Sequence, residues 1–343
     1  MRYPEFLKEN GTIGFVAPSF GCVTEPYFSA FKNALKTFEK MGYKTDLGPN
    51  CYEAKGMGIS NTPELCALEL MHMYKSDGND VLISCGGGEM MCKILEHLDL
   101  EGLKNAAPKW FLGYSDNSNF VYPSTVMLDT AAIYGPCAPT FGMTKWDKAL
   151  QDTWDVLTGK KEDVEGYERW EKESLKSEDD PLVPYNLTEK KKLVLYEGDK
   201  KKDSIEFRGR LIGGCLDSLI TLAGTRFDKT ADFIKKYRHD GIVWFLESCD
   251  LSVLQINRGL WQLKNAGWFE GACGFIIGRP MKYDDEECGF DRQTAVTDVL
   301  SDLNVPICMD ADIGHLPPSV PIISGAVAEV SCRENIIIKY RFI

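Results

Sequence analysis

The sequence predicts an α/β fold. A mostly parallel sheet flanked by helices occupies the N-terminal part, and a second α/β domain with more antiparallel strands follows. Three observations predict this. Short apolar, β-branched runs alternate with helical-period segments through the first half, the pattern of βαβ units. A stretch rich in Lys, Glu and Asp, residues 159–205, interrupts that pattern and shows little periodicity. The alternation then resumes and closes on two apolar runs around residues 333–335, which read as a hairpin. The expected organisation is residues 1–158 as an N-terminal α/β domain, 159–205 as a long polar connection and 206–343 as a C-terminal α/β domain. Connections beyond about 15 residues are uncommon in compact domains and are usually functional or disordered.

The elements follow in chain order. Residues 12–17 (TIGFVA) form an apolar strand that stops at Pro18. Residues 28–41 carry apolar side chains at helical spacing up to Gly42, and 43–47 make a short strand. Thr62 with Pro63 after it is a helix start, a cap followed by a first-turn proline, and the helix runs to about Lys75. Residues 81–85 are a buried strand ended by Gly86-Gly87-Gly88, with a helix on to about Leu98. A strand through Leu112 is broken by Gly113-Tyr114-Ser115; a helix near 120–128 and a strand at 131–134 complete the first half. In the second half the glycine-rich 210–215 precedes a helix to about Ala223. Strand 242–246 then leads into a helix near 251–265, and residues 274–278, 306–309, 327–331 and 336–340 read as strands.

Composition narrows the function class. A chain of 343 residues is long enough for two cores, and 44% hydrophobic with 26% charged residues is ordinary for a globular enzyme. No apolar run approaches the roughly 20 residues of a membrane span. The opening Met1-Arg2-Tyr3-Pro4-Glu5-Phe6 lacks the apolar core of a secretory signal, so a cytoplasmic location is expected. A net charge of −12 argues against nucleic acid or anionic membranes as partners, and the short basic runs 190–192 and 200–202 read as solvated loop. Twelve cysteines are scattered singly without a Cys-x-x-Cys pair, several (Cys66, Cys85, Cys92, Cys308) inside apolar segments, which points to reduced, mostly buried thiols. With four histidines and no Cys/His cluster, no metal site and no cofactor are expected.

In parallel sheets, sites form beyond the carboxyl ends of the strands, where Pro18-Ser19, the triple glycine and Ser115 all fall. A serine at a strand-to-helix turn has its hydroxyl above the sheet edge, with N–H groups of the next turn pointing at the same spot. That suits a nucleophile and its oxyanion stabiliser. Read structurally, Ser115 is a helix N-cap, and the second glycine of Gly-x-Ser-x-Gly is missing because Asn117 stands there. Among possible bases, His72 and His97 lie mid-helix and His239 in a charged stretch. His315 sits in a loop between glycine and prolines (DIGHLPP, 312–318). Glu247 follows four apolar residues at a strand end, where a carboxylate wants a partner. His315 would supply one; capping of the following helix is the competing role. None of the cysteines occupies a strand-helix elbow as clearly as Ser115, which disfavours a Cys-dependent amidotransferase-like enzyme.

Gly113-Tyr114-Ser115-Asp116, the strand-terminal Phe245-Leu246-Glu247 and Gly314-His315, in this order, resemble the LD-carboxypeptidase family of serine peptidases. That family includes the muramoyltetrapeptide carboxypeptidases and the microcin C immunity peptidases. The resemblance extends over nearly the whole chain. Gly11-Thr12-Ile13 with Ala17-Pro18-Ser19 is similar to the family's opening strand, Tyr134-Gly135-Pro136 to a family motif, and residues 209–216 with Gly224-Thr225 to the glycine-rich start of its second domain. The resemblance implies Ser115 as nucleophile, His315 as general base and Glu247 as the acid that holds the imidazole. It implies an oxyanion hole from the backbone N–H groups of Asp116, Gly87 and Gly88, in a cleft between the domains, and a homodimer. It also implies hydrolysis, through an acyl-enzyme, of an amide in a small peptide-like substrate. That substrate would be a murein tetrapeptide or a peptidyl- or aminoacyl-nucleotide conjugate.

The chain departs from the family near the expected substrate. Cys215 stands where members often carry Asn, and Gly88-Glu89-Met90 replaces Tyr-Gly or Asn-containing sequences. Trp170 in the long connection resembles the microcin-immunity branch, in which an aromatic of this region stacks on a nucleobase; read structurally, it anchors a polar loop. Trp170, Cys215 and Glu89 are thus the candidate substrate contacts. The altered turns also motivate an alternative, a catalytically altered member that acts as a ligand-binding or regulatory protein.

Overall fold

Two sheets organise the chain, and a computed structural model describes residues 1–343 throughout. Strands β1 (Thr12–Val16), β2 (Lys44–Leu47), β3 (Val81–Ser84), β4 (Trp110–Gly113) and β5 (Ala132–Tyr134) pair in parallel in the order β5-β4-β3-β1-β2. Every residue of β3, β4 and β5 is buried, as parallel strands covered on both faces require. Between and after the strands run helices α1 (Tyr27–Lys40), α2 (Pro63–Lys75), α3 (Leu100–Asn105), α4 (Ser118–Val126) and α5 (Lys148–Leu157). Thr62 caps α2, its side chain accepting the Leu65 N–H at 3.4 Å with Pro63 in the first turn. After the triple glycine, a tight 3₁₀ segment, Met91–His97, replaces the expected α-helix; its first N–H is drawn to the Asp116 carboxylate at 3.0 Å.

The expected polar connection contains five short strands: β6 (Asp163–Glu165), β7 (Arg169–Trp170), β8 (Glu189–Lys190), β9 (Val194–Glu197) and β10 (Lys200–Lys201). After them come β11 (Ile205–Cys215), β12 (Ile242–Glu247), β13 (Ala272–Gly278), β14 (Pro306–Ala311), β15 (Ile322–Ser324), β16 (Val327–Cys332) and β17 (Ile336–Arg341). The second sheet runs β10-β9-β14-β13-β12-β11-β16-β17-β6. Its centre, β11 to β14, is parallel, and antiparallel strands extend it on both sides. The expected hairpin is β16–β17.

Two expectations about organisation are corrected. Residues 159–205 are not a plain connection: β6 pairs with β17 at one edge and β9 with β14 near the other, so the segment reaches across the whole second sheet. Only isolated side chains such as Val164 and Leu195 turn inward, at 2% and 5% exposure, too few to leave a period in a charged sequence. Strand β15, from the expected C-terminal domain, pairs antiparallel with β5 and completes the first sheet. One contiguous cluster of 90 buried side chains runs through both sheets, so the two halves share a core.

Helices α6 (Leu216–Leu222), α7 (Thr230–Tyr237), α8 (Val253–Asn265) and α9 (Thr294–Leu300) accompany the second sheet. Ser252 and Gln255 form a reciprocal capping box at the start of α8, which relieves Glu247 of the helix-capping role weighed above. Helices α3, α5, α7 and α9 are additional to those expected, and none exceeds ten residues, too short for the period to stand out. All twelve cysteines are free thiols, and no helix is long and apolar enough to cross a membrane.

Candidate active site

Strand β4 ends at Gly113 and the chain turns sharply toward α4. Tyr114 is still extended, with φ −137° and ψ −176°, and Ser115 then adopts φ +63°. A serine in the left-handed region costs about 1–3 kcal/mol, so the surroundings must impose it. The Ser115 N–H donates to Tyr134 Oη at 3.0 Å. Asn117 Nδ2 donates to Gly86 O at 2.8 Å and Tyr114 O at 3.0 Å, fastening the elbow to the glycine turn. The residue that broke the Gly-x-Ser-x-Gly pattern therefore does work that a glycine has no side chain to do.

The glycine turn closes on the serine. A Cβ on Gly87 would lie 3.0 Å from both Cβ and Oγ of Ser115, a spacing that favours glycine. Neither Gly87 nor Gly88 donates its backbone N–H to another backbone group. Asp116, 5% exposed, draws three segments together: its carboxylate accepts from Ser19 Oγ at 2.6 Å, Met91 N at 3.0 Å and Asn119 Nδ2 at 2.8 Å. Burial pushes this carboxyl above its usual pKa, and the three bonds offset only part of that.

Glu247 is the last residue of β12, in register with Cys215 of β11. Its Oε1 accepts the Tyr134 hydroxyl proton at 2.5 Å, and its Oε2 pairs with His315 Nδ1 at 2.7 Å. The loop carrying His315 reaches the acid because Gly314 precedes it at φ +105°, where a Cβ would stand 2.5 Å from Glu247 Oε2. Underneath, the buried Arg279 pairs with Asp312 at 2.7 Å and donates to Asp310 O and Leu316 O. The segment 166–171 adds two backbone bonds, Tyr167 N–H to Asp312 Oδ2 at 2.8 Å and Glu171 N–H to Pro317 O at 2.7 Å.

Charge follows this geometry. Burial acts against a charged imidazole at His315, but the Glu247 carboxylate and Cys249 outweigh it and hold the pKa well above the ordinary histidine value. Burial likewise pushes Glu247 up, yet the charge and hydrogen bond of His315 and the bonds from Tyr134 and Cys215 bring it below the usual carboxylate value. With His315 protonated, the two groups form a buried ion pair.

Ser115 lines a cavity of about 140 Å³ with Gly88, Glu89, Cys92, Asp116 and Asn119 from the first half, and Cys215, Asp217, Ser218, Thr221, Cys249 and Asp250 from the second. The lining holds four carboxylates and no Lys or Arg. Burial and the charges of Asp250, Asp116 and Asp217 raise the Glu89 carboxyl. The His315 ring lies 5.0 Å from that of Tyr114, centroid to centroid, and close to the lining residue Cys249. No hydrogen bond joins Ser115 Oγ to His315; the serine bonds Tyr134 through its N–H, and the imidazole bonds Glu247. A second cavity of about 20 Å³, lined by Glu247, Leu216, Ile256 and Leu260 among others, has room for little more than a water. No group of three or more His, Cys, Asp or Glu side chains is arranged to hold a metal ion.

The structure thus places Ser115, Asp116, Gly88, Glu89 and Cys215 around one cavity, Gly87 against the serine, and Glu247 with His315 beside it. Trp170 lies elsewhere. It is 3% exposed, its ring 4.8 Å from Tyr283 and 5.0 Å from the Arg279 guanidinium, so neither face is open for stacking. Sequence reasoning missed Tyr134, Asn117, Asn119 and Asp217 as site residues. Tyr134 alone carried a signal, a tyrosine at a strand end before Gly-Pro.

The family model described as the LD-carboxypeptidase N-terminal domain matches residues 13–135, and the one described as the C-terminal domain matches residues 208–330. A Bacillus subtilis protein named "probable murein peptide carboxypeptidase" is 25% identical over 339 residues, 97% of this chain and 92% of that protein. Among solved structures, an MccF-like protein from Bacillus anthracis superposes with a TM-score of 0.82 at 22% identity, covering 99% of this chain and 100% of that one. MccF in complex with glutamyl sulfamoyl guanosine gives 0.81 at 20% identity over 99% of both chains.

Proposed function

From a chain that belongs to the LD-carboxypeptidase family, we propose a serine peptidase in which Ser115 is the nucleophile, His315 the general base and Glu247 the group that orients and stabilises the imidazolium. The Glu247–His315 pair at 2.7 Å, next to a serine held at φ +63° on a strand-to-helix elbow, is the observation that carries this reading. Ser115 Oγ attacks the scissile carbonyl as His315 Nε2 takes its proton. The C=O π bond opens to an oxyanion received by the N–H groups of Gly87, Gly88 and Asp116. Collapse of this intermediate breaks the C–N bond, and His315 returns the proton to the leaving amine. Water, deprotonated by the same imidazole, then cleaves the acyl-enzyme and restores Ser115.

The substrate proposed is a small murein-type peptide. The name of the Bacillus subtilis relative supports this reading, and four carboxylates in the lining with no lysine or arginine suit a peptide that brings ammonium groups. The buried Trp170 lends no support to nucleobase stacking. Similarity to MccF in complex with aspartyl sulfamoyl adenosine supports the second substrate reading, an aminoacyl-nucleotide conjugate.

The test is product analysis by mass spectrometry on murein peptides and aminoacyl sulfamoyl nucleosides, comparing the wild type with Ser115→Ala. A loss of about 10³-fold or more in the variant is expected. Equal turnover by both would refute the assignment. An intact, ligand-binding protein that forms no adduct at Ser115 with a serine-directed phosphonate would favour the non-catalytic alternative.

A further inference from the structure

Glu247 and Ser115 come from different halves of the chain, and one side chain touches both. Tyr134 Oη accepts the Ser115 N–H at 3.0 Å and donates its own proton to Glu247 Oε1 at 2.5 Å. Its ring is completely enclosed, wedged between Tyr114 and Phe245 at centroid distances of 6.4 and 5.5 Å. The phenol stays neutral, since burial and the adjacent carboxylate both oppose its ionisation. A neutral phenol in this position has its single proton committed to Glu247 and a lone pair committed to the serine backbone.

From this bridge we propose that Tyr134 is a positioning residue of the hydrolytic centre, locking the nucleophile elbow of the first sheet to the acid of the second. The inference rests on the Ser115–His315–Glu247 reading above. Its physical content is twofold. The accepted N–H bond helps hold Ser115 in the left-handed conformation that points Oγ into the cavity. The donated bond occupies Oε1, so that Oε2 is the oxygen presented to His315, and it withdraws charge from the carboxylate that attracts the imidazolium. The three-member chain N–H to O–H to carboxylate also polarises cooperatively, strengthening each bond. Tyr134 does not line the cavity, so it acts through Ser115 and Glu247 and not on substrate.

The test compares Tyr134→Phe with the wild type and with Tyr122→Phe. Tyr122 is an equally buried tyrosine whose hydroxyl bonds Thr230, away from the site, and serves as the control for losing a buried hydroxyl. Tyr134→Phe keeps the ring, and kcat is expected to fall about 10- to 100-fold with KM changed by less than about threefold, the pattern of lost positioning. Without the phenol proton, Glu247 pulls harder on His315. The imidazole titration followed by NMR should move to higher pH by about half a unit or more, and the acidic limb of the rate profile should move with it. Tyr122→Phe should move neither. An unshifted His315 titration in Tyr134→Phe overturns the inference, even if kcat falls.

The NMR titration needs no turnover, so it separates failure of this inference from failure of the peptidase reading, which Ser115 labelling by a phosphonate tests independently. Should Tyr134→Phe fail to fold, 3-fluorotyrosine placed at position 134 keeps the bridge and makes the hydroxyl a stronger donor. The His315 titration should then shift to lower pH, and no shift refutes the proposal.

Discussion

Glu247 Oε2 lies 2.7 Å from His315 Nδ1, with the carboxylate side chain 0% and the imidazole 11% exposed. Two opposite charges this close and this shielded from water are strongly coupled, and a partner removed from such a pair leaves an uncompensated buried group. The pair is a point of leverage for both stability and pH dependence.

The sign of the pH effect follows from the directions of the two shifts. His315 is raised above 6.5, so its contribution to stability is complete below that pH and is lost as pH rises through the raised value. Glu247 is lowered below 4.5, so its contribution is complete above that pH and is lost as pH falls through the lowered value. The difference in thermal midpoint between wild type and a Glu247→Gln/His315→Gln variant should be largest between about 4.5 and 6.5 and shrink on the alkaline side. A difference that stays constant with pH would contradict the ion pair.

In the proposed mechanism the same shift governs rate. A general base must be unprotonated, so kcat/KM should rise with pH along a limb lying above the ordinary histidine value of 6.5. A pH–rate profile already flat by pH 6.5 would argue that His315 is not the base.

Glu247→Gln is nearly isosteric but carries no charge and presents an amide to His315. A loss in kcat/KM of about 10³- to 10⁴-fold is expected, by analogy with removal of the orienting acid in serine peptidases. Pre-steady-state acylation kinetics on the folded variant check it; a loss below tenfold would place Glu247 outside the reaction.

Gly314→Ala probes the approach of the histidine loop. The added methyl would stand 2.5 Å from Glu247 Oε2 at a backbone φ of +105°. Backbone strain of about 1–3 kcal/mol is expected in urea denaturation, together with a large fall in kcat as His315 is pushed from the acid. Unchanged stability and activity would mean that the loop has slack.

Trp170→Ala distinguishes an anchor from a substrate platform. Enclosed between Tyr283 and Arg279, Trp170 should behave as a core residue, and its truncation should lower the unfolding free energy by about 3–5 kcal/mol. KM for aminoacyl sulfamoyl nucleosides, measured below the unfolding transition, should stay within twofold. A rise in KM without loss of stability would restore the stacking role.

Much of this architecture was legible in the chain itself. Apolar runs ending at Pro18, at Gly86 and at Ser115 located the strand ends of the first sheet, because a buried parallel strand and the turn that stops it differ sharply in composition. Ser115, Glu247 and His315 were each ambiguous locally, as a cap, a cap and a loop residue, and only their order in a family pattern singled them out. The short strands within 159–205 were not legible, since two to four residues with at most one buried side chain leave no period. Nor was the return of β15 to the first sheet, since three residues, Ile-Ile-Ser, carry no record of their partner.

By itself, then, the sequence determined where strands stop and which residue types stand there. The tertiary structure decided which strand ends meet. It buried Trp170 away from the cavity, turned Asn117 into the staple of the elbow, and set Tyr134 between Ser115 and Glu247. Local propensity acts over a few residues, whereas hydrogen bonds such as Tyr134 to Glu247 join positions far apart in the chain. Their partners are chosen by how the two sheets pack around one core.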